Sequence, residues 1–169
     1  RTIPGRHPKG AYFTRGSGHN KLGGYTEDAA EYQDVVDRLL IKWETAKSLV
    51  PQPEVSYSKK NKIGIISIGS CNDAIREARD VMKKNGQSLN YLRVKAFPFS
   101  DKVEKFISQH EKVFVIEQNR DGQLHNMLIT ETDADSRKLE SLRFYNGIPI
   151  FSKDIVKQIE DSINSGKAA

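Results

Sequence analysis

Glu117, Gln118 and Asn119 follow the apolar run Val113-Phe114-Val115-Ile116, so an acid and two amides stand where a buried strand ends. A carboxylate there can serve as a general base, or it can accept hydrogen bonds from backbone N–H groups of an adjoining loop. General-base work needs a second acid, a histidine or a metal beside it. His125 falls on the next predicted helix and nothing in the sequence fixes it near Glu117, so the local pattern favours a structural or interface role. Cys71 opens another predicted helix, where an N-terminus can lower a thiol pKa. No histidine or second cysteine accompanies it, which predicts a structural thiol. The four histidines, His7, His19, His110 and His125, show no metal-ligand spacing. One cysteine excludes an internal disulfide and a thiolate metal cluster built from this chain alone, and its reduced state predicts a cytoplasmic setting.

The elements that must position these groups alternate from residue 62 onward. "KIGIISIG" reads as a short apolar strand and "SCNDAIREARDVMKKNG" as a helix stopped by Gly86. "LNYLRVKAF" is a second strand, broken by Pro98, and Ser100 is placed to cap a helix that turns Val103, Phe106 and Ile107 inward. "KVFVIEQ" is the third strand and "DGQLHNMLIT" the helix after it. "KLESLRFY" is a short fourth strand, "NGIPIF" a turn, and "SKDIVKQIEDSINSG" a closing helix. Strands separated by helices imply parallel pairing with right-handed crossovers, hence a three-layer α/β/α sandwich of Rossmann-like type with a mostly parallel sheet.

Ahead of these lies "YTEDAAEYQDVVDRLLIKWETAKSLV", a long helix with Thr26 as its candidate N-cap. Tyr32, Val35, Val36, Leu39, Leu40, Trp43 and Ala46 recur at three- and four-residue spacing, and Pro51 and Pro53 end it. The stripe predicts an inward-facing side with Trp43 as a packing anchor. The predicted organisation is a basic, glycine-rich arm or interdomain connection (1–24), the long helix and a linker (25–54), and an α/β domain (55–169).

The net charge of +5 resides in the arm, which carries Arg1, Arg6, Lys9, Arg15 and Lys21 and no acid, leaving 22 basic against 22 acidic residues in the remainder. Six of the twelve glycines also lie there, which excludes a sustained helix or central strand. With no basic stripe on the folded part, nucleic acid is not an expected partner. No apolar run has the length of a membrane span. Arg1 in place of an initiator methionine predicts a piece of a longer protein.

In an open parallel sheet, ligands gather at the carboxyl ends of the strands. Four loops occupy that edge. "IGSCND" (68–73) has one glycine and no Walker lysine, so it is only loosely a phosphate turn, although its N–H groups could hold an anion. "AFPFSD" (96–101) reads as a rigid apolar corner that becomes an interdomain contact if exposed. The third loop is Glu117-Gln118-Asn119. The fourth, "FYNGIPIFS", reads as a turn around Asn146-Gly147.

The order of "RGSGHNKLGGYTED", "DRLLIKWE", "IGIISIGSCNDAIREA", "LRVKAFPFSDKVEKFI" and "KVFVIEQNRDGQL" resembles the C-terminal domain of the alpha subunit of 2-oxoacid:ferredoxin (acceptor) oxidoreductases, with the 2-oxoglutarate type most similar. The resemblance covers residues 10–160. It implies a transketolase C-terminal-like fold whose mixed sheet has one antiparallel strand. It also implies a parent enzyme that decarboxylates a 2-oxoacid with thiamine diphosphate and Mg2+, passes electrons through an iron–sulfur cluster to ferredoxin, and releases an acyl-CoA. The cofactors would be held by other domains, since this chain has neither a Gly-Asp-Gly diphosphate motif nor a cysteine set. The implied partners are the upstream pyrimidine-binding domain and the thiamine-diphosphate-binding beta subunit, and the isolated piece is expected to be inactive. Glu117, Asn119, Gly122 and Gln123 match the family's strand-end motif. Gly18, His19 and Tyr25–Asp28 match its entry segment, with His19 and Arg15 as candidates to approach a substrate channel. Lys21-Leu22-Gly23-Gly24 departs from the family pattern. These positions are expected to serve assembly rather than bond-making. The competing expectation is a free-standing α/β module that holds a small anion or nucleotide at the edge formed by 68–73 and 117–123.

Overall fold

The computed structural model describes residues 3, 5–10, 18–58 and 61–165. They divide into two compact units, residues 1–46 and 47–169.

The second unit carries five strands: β1 (Glu54–Ser56), β2 (Ile63–Ile68), β3 (Asn90–Val94), β4 (Lys112–Glu117) and β5 (Leu139–Arg143). Their spatial order is β1-β3-β2-β4-β5, with every pairing parallel except β1 against β3. The one antiparallel strand implied by the family resemblance is therefore β1. It has three residues, immediately after the prolines that end the long helix, and nothing in "EVS" announces it. The predicted strands overrun the observed ones at their ends. Lys95–Phe97, Gln118 and Phe144-Tyr145 lie outside the ladders.

Helices α2 (Asn72–Lys84), α3 (Asp101–Ser108), α4 (Gln123–Glu131) and α5 (Ser152–Ser165) complete the unit. Alternation along a strand sends successive side chains to opposite faces. On β4, Phe114 and Ile116 join Ile75, Met82 and Ile159 on the α2–α5 side, whereas Val113 and Val115 join Phe106, Ile107 and Leu128 on the α3–α4 side. On β2, Ile65 and Ile66 divide the same way. Both faces are covered, which is why the central strands read as near-continuous apolar runs and why the layer count predicted from the sequence holds.

Gly64 on β2 is fixed by close approach. A Cβ at that position would lie 2.7 Å from Phe106 Cε1 and 3.3 Å from His110 Cγ. His110 is buried, with Nδ1 2.5 Å from the Phe106 carbonyl and Nε2 2.8 Å from Asn90 Nδ2. Asn90 Oδ1 already accepts the Ser58 amide at 2.6 Å, so its Nδ2 is the donor and His110 Nε2 accepts. The ring thus carries its proton on Nδ1, pointed at the last turn of α3.

Two features around α3 differ from expectation or sharpen it. Ser100 precedes α3 without a side-chain capping bond, and its hydroxyl is buried without a partner. The Phe97–Phe99 corner packs as an edge-to-face pair at 5.1 Å around a cis Phe97-Pro98 bond, with Phe99 buried in the α3–α4 core.

The helix α1 (Ala29–Leu49), which belongs to the first unit up to Ala46, starts two residues later than the Thr26 cap would place it. Asp28 is the acceptor that matters, taking the Glu31 amide at 2.9 Å, while Thr26 Oγ1 takes the Asp28 amide at 3.1 Å. The apolar stripe of α1 is not the buried face that its periodicity predicts. Val35 is buried, but Leu40 is 66 % exposed, Leu39 50 % and Trp43 45 %, so Trp43 is not a core anchor. Periodicity reports that a helix has an apolar face; it does not report that this chain covers it.

Candidate functional site

Parity along β4 decides where the strand-end groups point. Glu117 has the same parity as Val113 and Val115, so its side chain turns toward the α3–α4 layer. Gln118, one residue on, takes the opposite side, that of α2 and α5.

Glu117 is only 3 % exposed. Its Oε2 accepts the Leu124 amide at 3.0 Å and its Oε1 the His125 amide at 3.1 Å. Those N–H groups belong to the first turn of α4, where no intrahelical acceptor exists and a negative charge is favoured. Gly122 lets the chain turn back to meet the carboxylate, at φ +64°, a region closed to most L-residues. The carboxylate that the sequence offered as a base is therefore the cap of α4. His125 does lie beside it, through its backbone rather than its ring.

The neighbouring predicted residues build the same turn. Asn119 Oδ1 accepts the Asp121 amide at 2.8 Å, and Asn119 Nδ2 donates to Gln123 Oε1 at 3.0 Å. Arg143, the last residue of β5, donates to the Arg120 carbonyl at 3.0 Å. Glu117, Asn119, Gly122 and Gln123 thus form one unit, as their shared motif suggested.

Gln118 sits inside this motif with no task predicted for it, and it proves to be the bridging residue. Ser70 Oγ donates to its Oε1 at 2.9 Å, and its Nε2 donates to the Ile148 carbonyl at 3.3 Å. It thereby joins the turn after β2 to the loop after β5. These loops line an open cleft of about 730 Å³, with Ser70, Asp73, Gln118, Tyr145 and Ile148 among its walls. The loop after β5 does turn at Gly147, φ +82°, but Tyr145, Ile148 and Phe151 on it are exposed. Sequence reasoning found the turn and missed this patch. A run of three large apolar residues around an Asn-Gly turn was the available signal.

Cys71, behind the same turn, is buried, and burial pushes its thiol up from the ordinary value. It is a structural thiol, as predicted. Beside it, Ser67 and Tyr91 share a buried hydrogen bond of 2.8 Å, and burial likewise raises the Tyr91 phenol.

In the first unit, Gly18 and His19 belong to a closed turn. The Thr26 amide donates to the Gly18 carbonyl at 3.2 Å, and Asn20 Oδ1 accepts the Leu22 and Gly24 amides at 3.1 and 3.0 Å. His19 is exposed and its Nδ1 lies 3.0 Å from the Asn20 carbonyl. A Cβ on Gly18 would meet Tyr32 at 3.1 Å. Arg15 lies outside the described residues.

Among the described residues, no three His, Cys, Asp or Glu side chains converge on a point that could hold a metal ion. An iron–sulfur cluster takes several thiolates, and this chain has one, buried. The described residues do not fit a magnesium–diphosphate or iron–sulfur site. Among the described residues, no helix is long and apolar enough to cross a membrane.

The family model for pyruvate:ferredoxin oxidoreductase core domain II matches residues 61–150, more than half of the chain. This chain belongs to that family. As a member of core domain II, it is 24 % identical over 154 residues to the alpha subunit of 2-oxoacid:ferredoxin oxidoreductase 2 of Aeropyrum pernix. That match takes in 88 % of this chain and 24 % of the relative, so the chain spans about a quarter of the length of that relative. A solved 2-oxoglutarate:ferredoxin oxidoreductase from Magnetococcus marinus, with 2-oxoglutarate, coenzyme A and succinyl-CoA bound, superposes with a TM-score of 0.80. The superposition covers 95 % of this chain and 28 % of that one at 23 % identity, a likeness of fold. The core-domain-II match takes in the strand-end turn, the bridging Gln118 and the loop after β5 as far as residue 150.

Proposed function

We propose that this chain is the core-domain-II part of the alpha subunit of a thiamine-diphosphate-dependent 2-oxoacid:ferredoxin oxidoreductase, and that it serves assembly rather than bond-making. The observation that carries the second half is the use already made of the strand-end polar groups. Glu117 is taken up by two amides of α4, and Gln118 by Ser70 and Ile148. What remains at that edge is a stiffened rim bearing exposed Tyr145, Ile148 and Phe151, suited to burial against a neighbouring domain. On this reading thiamine diphosphate, Mg2+, CoA and the iron–sulfur cluster belong to other parts of the complex, and the partners are the pyrimidine-binding domain and the beta subunit. The setting is the cytoplasm.

The test is co-expression of this chain with the remaining alpha-subunit domains and the beta subunit, assaying CoA-dependent reduction of a dye by a 2-oxoacid. Activity that requires this chain, and that is lost together with co-purification in Tyr145→Asp or Ile148→Asp variants, supports the reading. A complex fully active without this chain rules it out. So does a nucleotide or small anion that raises the melting temperature of the chain alone, the behaviour of a free-standing binding module.

A further inference from the structure

Two Asn-Gly pairs occur in the chain, Asn85-Gly86 and Asn146-Gly147. Each carries a reaction of its own, because a glycine nitrogen has no side chain beside it to block approach to the asparagine carboxamide. Once that nitrogen gives its proton to hydroxide, it attacks the carboxamide carbon. A C–N bond forms, the bond to Nδ2 breaks, and the leaving nitrogen takes a proton from water and departs as ammonia. Water then opens the resulting succinimide at one carbonyl or the other, giving aspartate or the backbone-lengthened isoaspartate. Nothing is oxidised or reduced, and water is the only co-reactant.

Exposure does not separate the two pairs, since all four residues are exposed. Backbone angle does not either: Gly86 and Gly147 both have φ +82°, and no atom crowds the Cβ position of either. Hydrogen bonding does. At the first pair the attacking nitrogen is engaged, because the Gly86 amide donates to the Lys83 carbonyl at 3.1 Å and closes the end of α2. The leaving group is tied as well, with Asn85 Nδ2 donating to Glu160 Oε1 at 3.5 Å. At the second pair the pattern is reversed. Among the described residues, neither the Gly147 amide nor Asn146 Nδ2 has a hydrogen-bond partner within the protein. Asn146 Oδ1, the atom that takes on negative charge as the new bond forms, accepts the Ile148 amide at 3.3 Å, a donor placed as in an oxyanion site. That bond folds the carboxamide back over the peptide between Asn146 and Gly147, and Gln118 steadies the loop by holding the Ile148 carbonyl.

We propose that Asn146 is a modification site, deamidating spontaneously to aspartate and isoaspartate in the folded chain, while the fold holds Asn85 back. This chemistry is a property of the chain and does not depend on the function argued above. Its consequence does rest on that reading. The new carboxylate and the lengthened backbone fall between exposed Tyr145 and Ile148, on the loop assigned to burial against a neighbouring domain, so modification removes the chain from assembly.

The experiment incubates the folded 169-residue chain in mildly alkaline buffer and quantifies tryptic peptides 85–93 and 144–153 by mass spectrometry over time. An isoaspartyl methyltransferase with labelled methyl donor scores isoaspartate separately. The expected result is loss of the Asn146 amide roughly tenfold faster than the Asn85 amide, the factor set by releasing one hydrogen bond before attack. In concentrated urea the two rates should converge, because the bonds that distinguish the pairs are gone. Asn146→Gln should abolish the change in peptide 144–153, since its longer side chain must close a less favourable ring. Equal rates in the folded chain, or a faster Asn85, overturn the proposal. So does a difference that persists in urea, which would belong to the flanking residues and not to the fold. The consequence is read by mixing fresh and aged chain with the remaining alpha-subunit domains and the beta subunit. Aged chain should co-purify several-fold less, and equal recovery overturns the consequence. Fresh chain that does not co-purify counts against the assembly function, while the peptide rates still decide the chemistry.

Discussion

Glu117 and Leu124 face each other across the turn from β4 to α4, with a carboxylate oxygen 3.0 Å from the backbone nitrogen and both residues buried. The same carboxylate holds the His125 amide. One acid therefore closes the end of a strand, satisfies the start of a helix and leaves no oxygen turned toward solvent as a base.

Replacing Glu117 by alanine strands those two N–H groups where water reaches them poorly, and should cost about 2–3 kcal/mol. Glu117→Gln keeps one acceptor but turns an NH2 toward a second donor, so it should fall between alanine and wild type. Urea unfolding followed by circular dichroism measures both. A change below a few tenths of a kcal/mol for alanine would mean that the capping bonds do not matter.

Gly122 allows the left-handed step that delivers those amides. A Cβ there would meet Ser141 Oγ at 3.4 Å and Arg143 Cδ at 3.5 Å, ordinary contacts, so the cost of Gly122→Ala is conformational. It should be about 1–2 kcal/mol, with Gly122→Asn milder because asparagine tolerates this region. Equal losses for the two variants in thermal denaturation would count against a backbone origin.

Gly64 is the contrasting case, since crowding rather than backbone angle excludes a side chain there. An added methyl would stand 2.7 Å from Phe106 Cε1 and 3.0 Å from Phe106 Cζ. Gly64→Ala should therefore destabilise by about 1–3 kcal/mol. Phe106→Leu vacates that space, so the double variant should lose less than the sum of the single losses. Additivity in a double-mutant cycle would show that the two positions do not press on each other.

Burial raises both the Cys71 thiol and the Tyr91 phenol above their ordinary values of 9.0 and 10.0. A raised value in the folded state means that the unfolded chain releases its proton first, so rising pH favours unfolding. The contribution is intact below about pH 9 and fades above it, first through Cys71 and then through Tyr91. Urea midpoints across that range should fall, and Tyr91→Phe should flatten the portion above about pH 10. A profile that climbs with pH would reverse the assignment.

The layers were legible because parallel strands covered on both faces must be largely apolar, as "VFVI" is and as "GIISI" is apart from Ser67, whose hydroxyl is bonded to Tyr91, and because helices α2 to α5 each carry one apolar side. β1 was not legible from its own residues: three residues hold no periodicity, and its place comes from pairing with Tyr91–Arg93. The site was half legible. The motif singled out Glu117, Asn119, Gly122 and Gln123 together. The destination of the Glu117 carboxylate depended on strand parity and on where α4 begins, both of which need strand ends known to one residue. Gln118 escaped notice because its partners, Ser70 and Ile148, stand 48 and 30 residues away. The α1 stripe misled for a different reason, since a helix written for contact with another surface has the same pattern as one written for its own core.

The strand order bears on how the chain is made. In β1-β3-β2-β4-β5, β1 emerges from the ribosome before the β3 that it joins, and β2 is paired on both sides only once β4 has been synthesised. No early portion can close the sheet alone, so β2 presents unpaired backbone N–H and C=O groups along one edge until Glu117 is reached. Such an edge is where another chain can pair before the sheet closes, so aggregation of the nascent protein is concentrated in that interval.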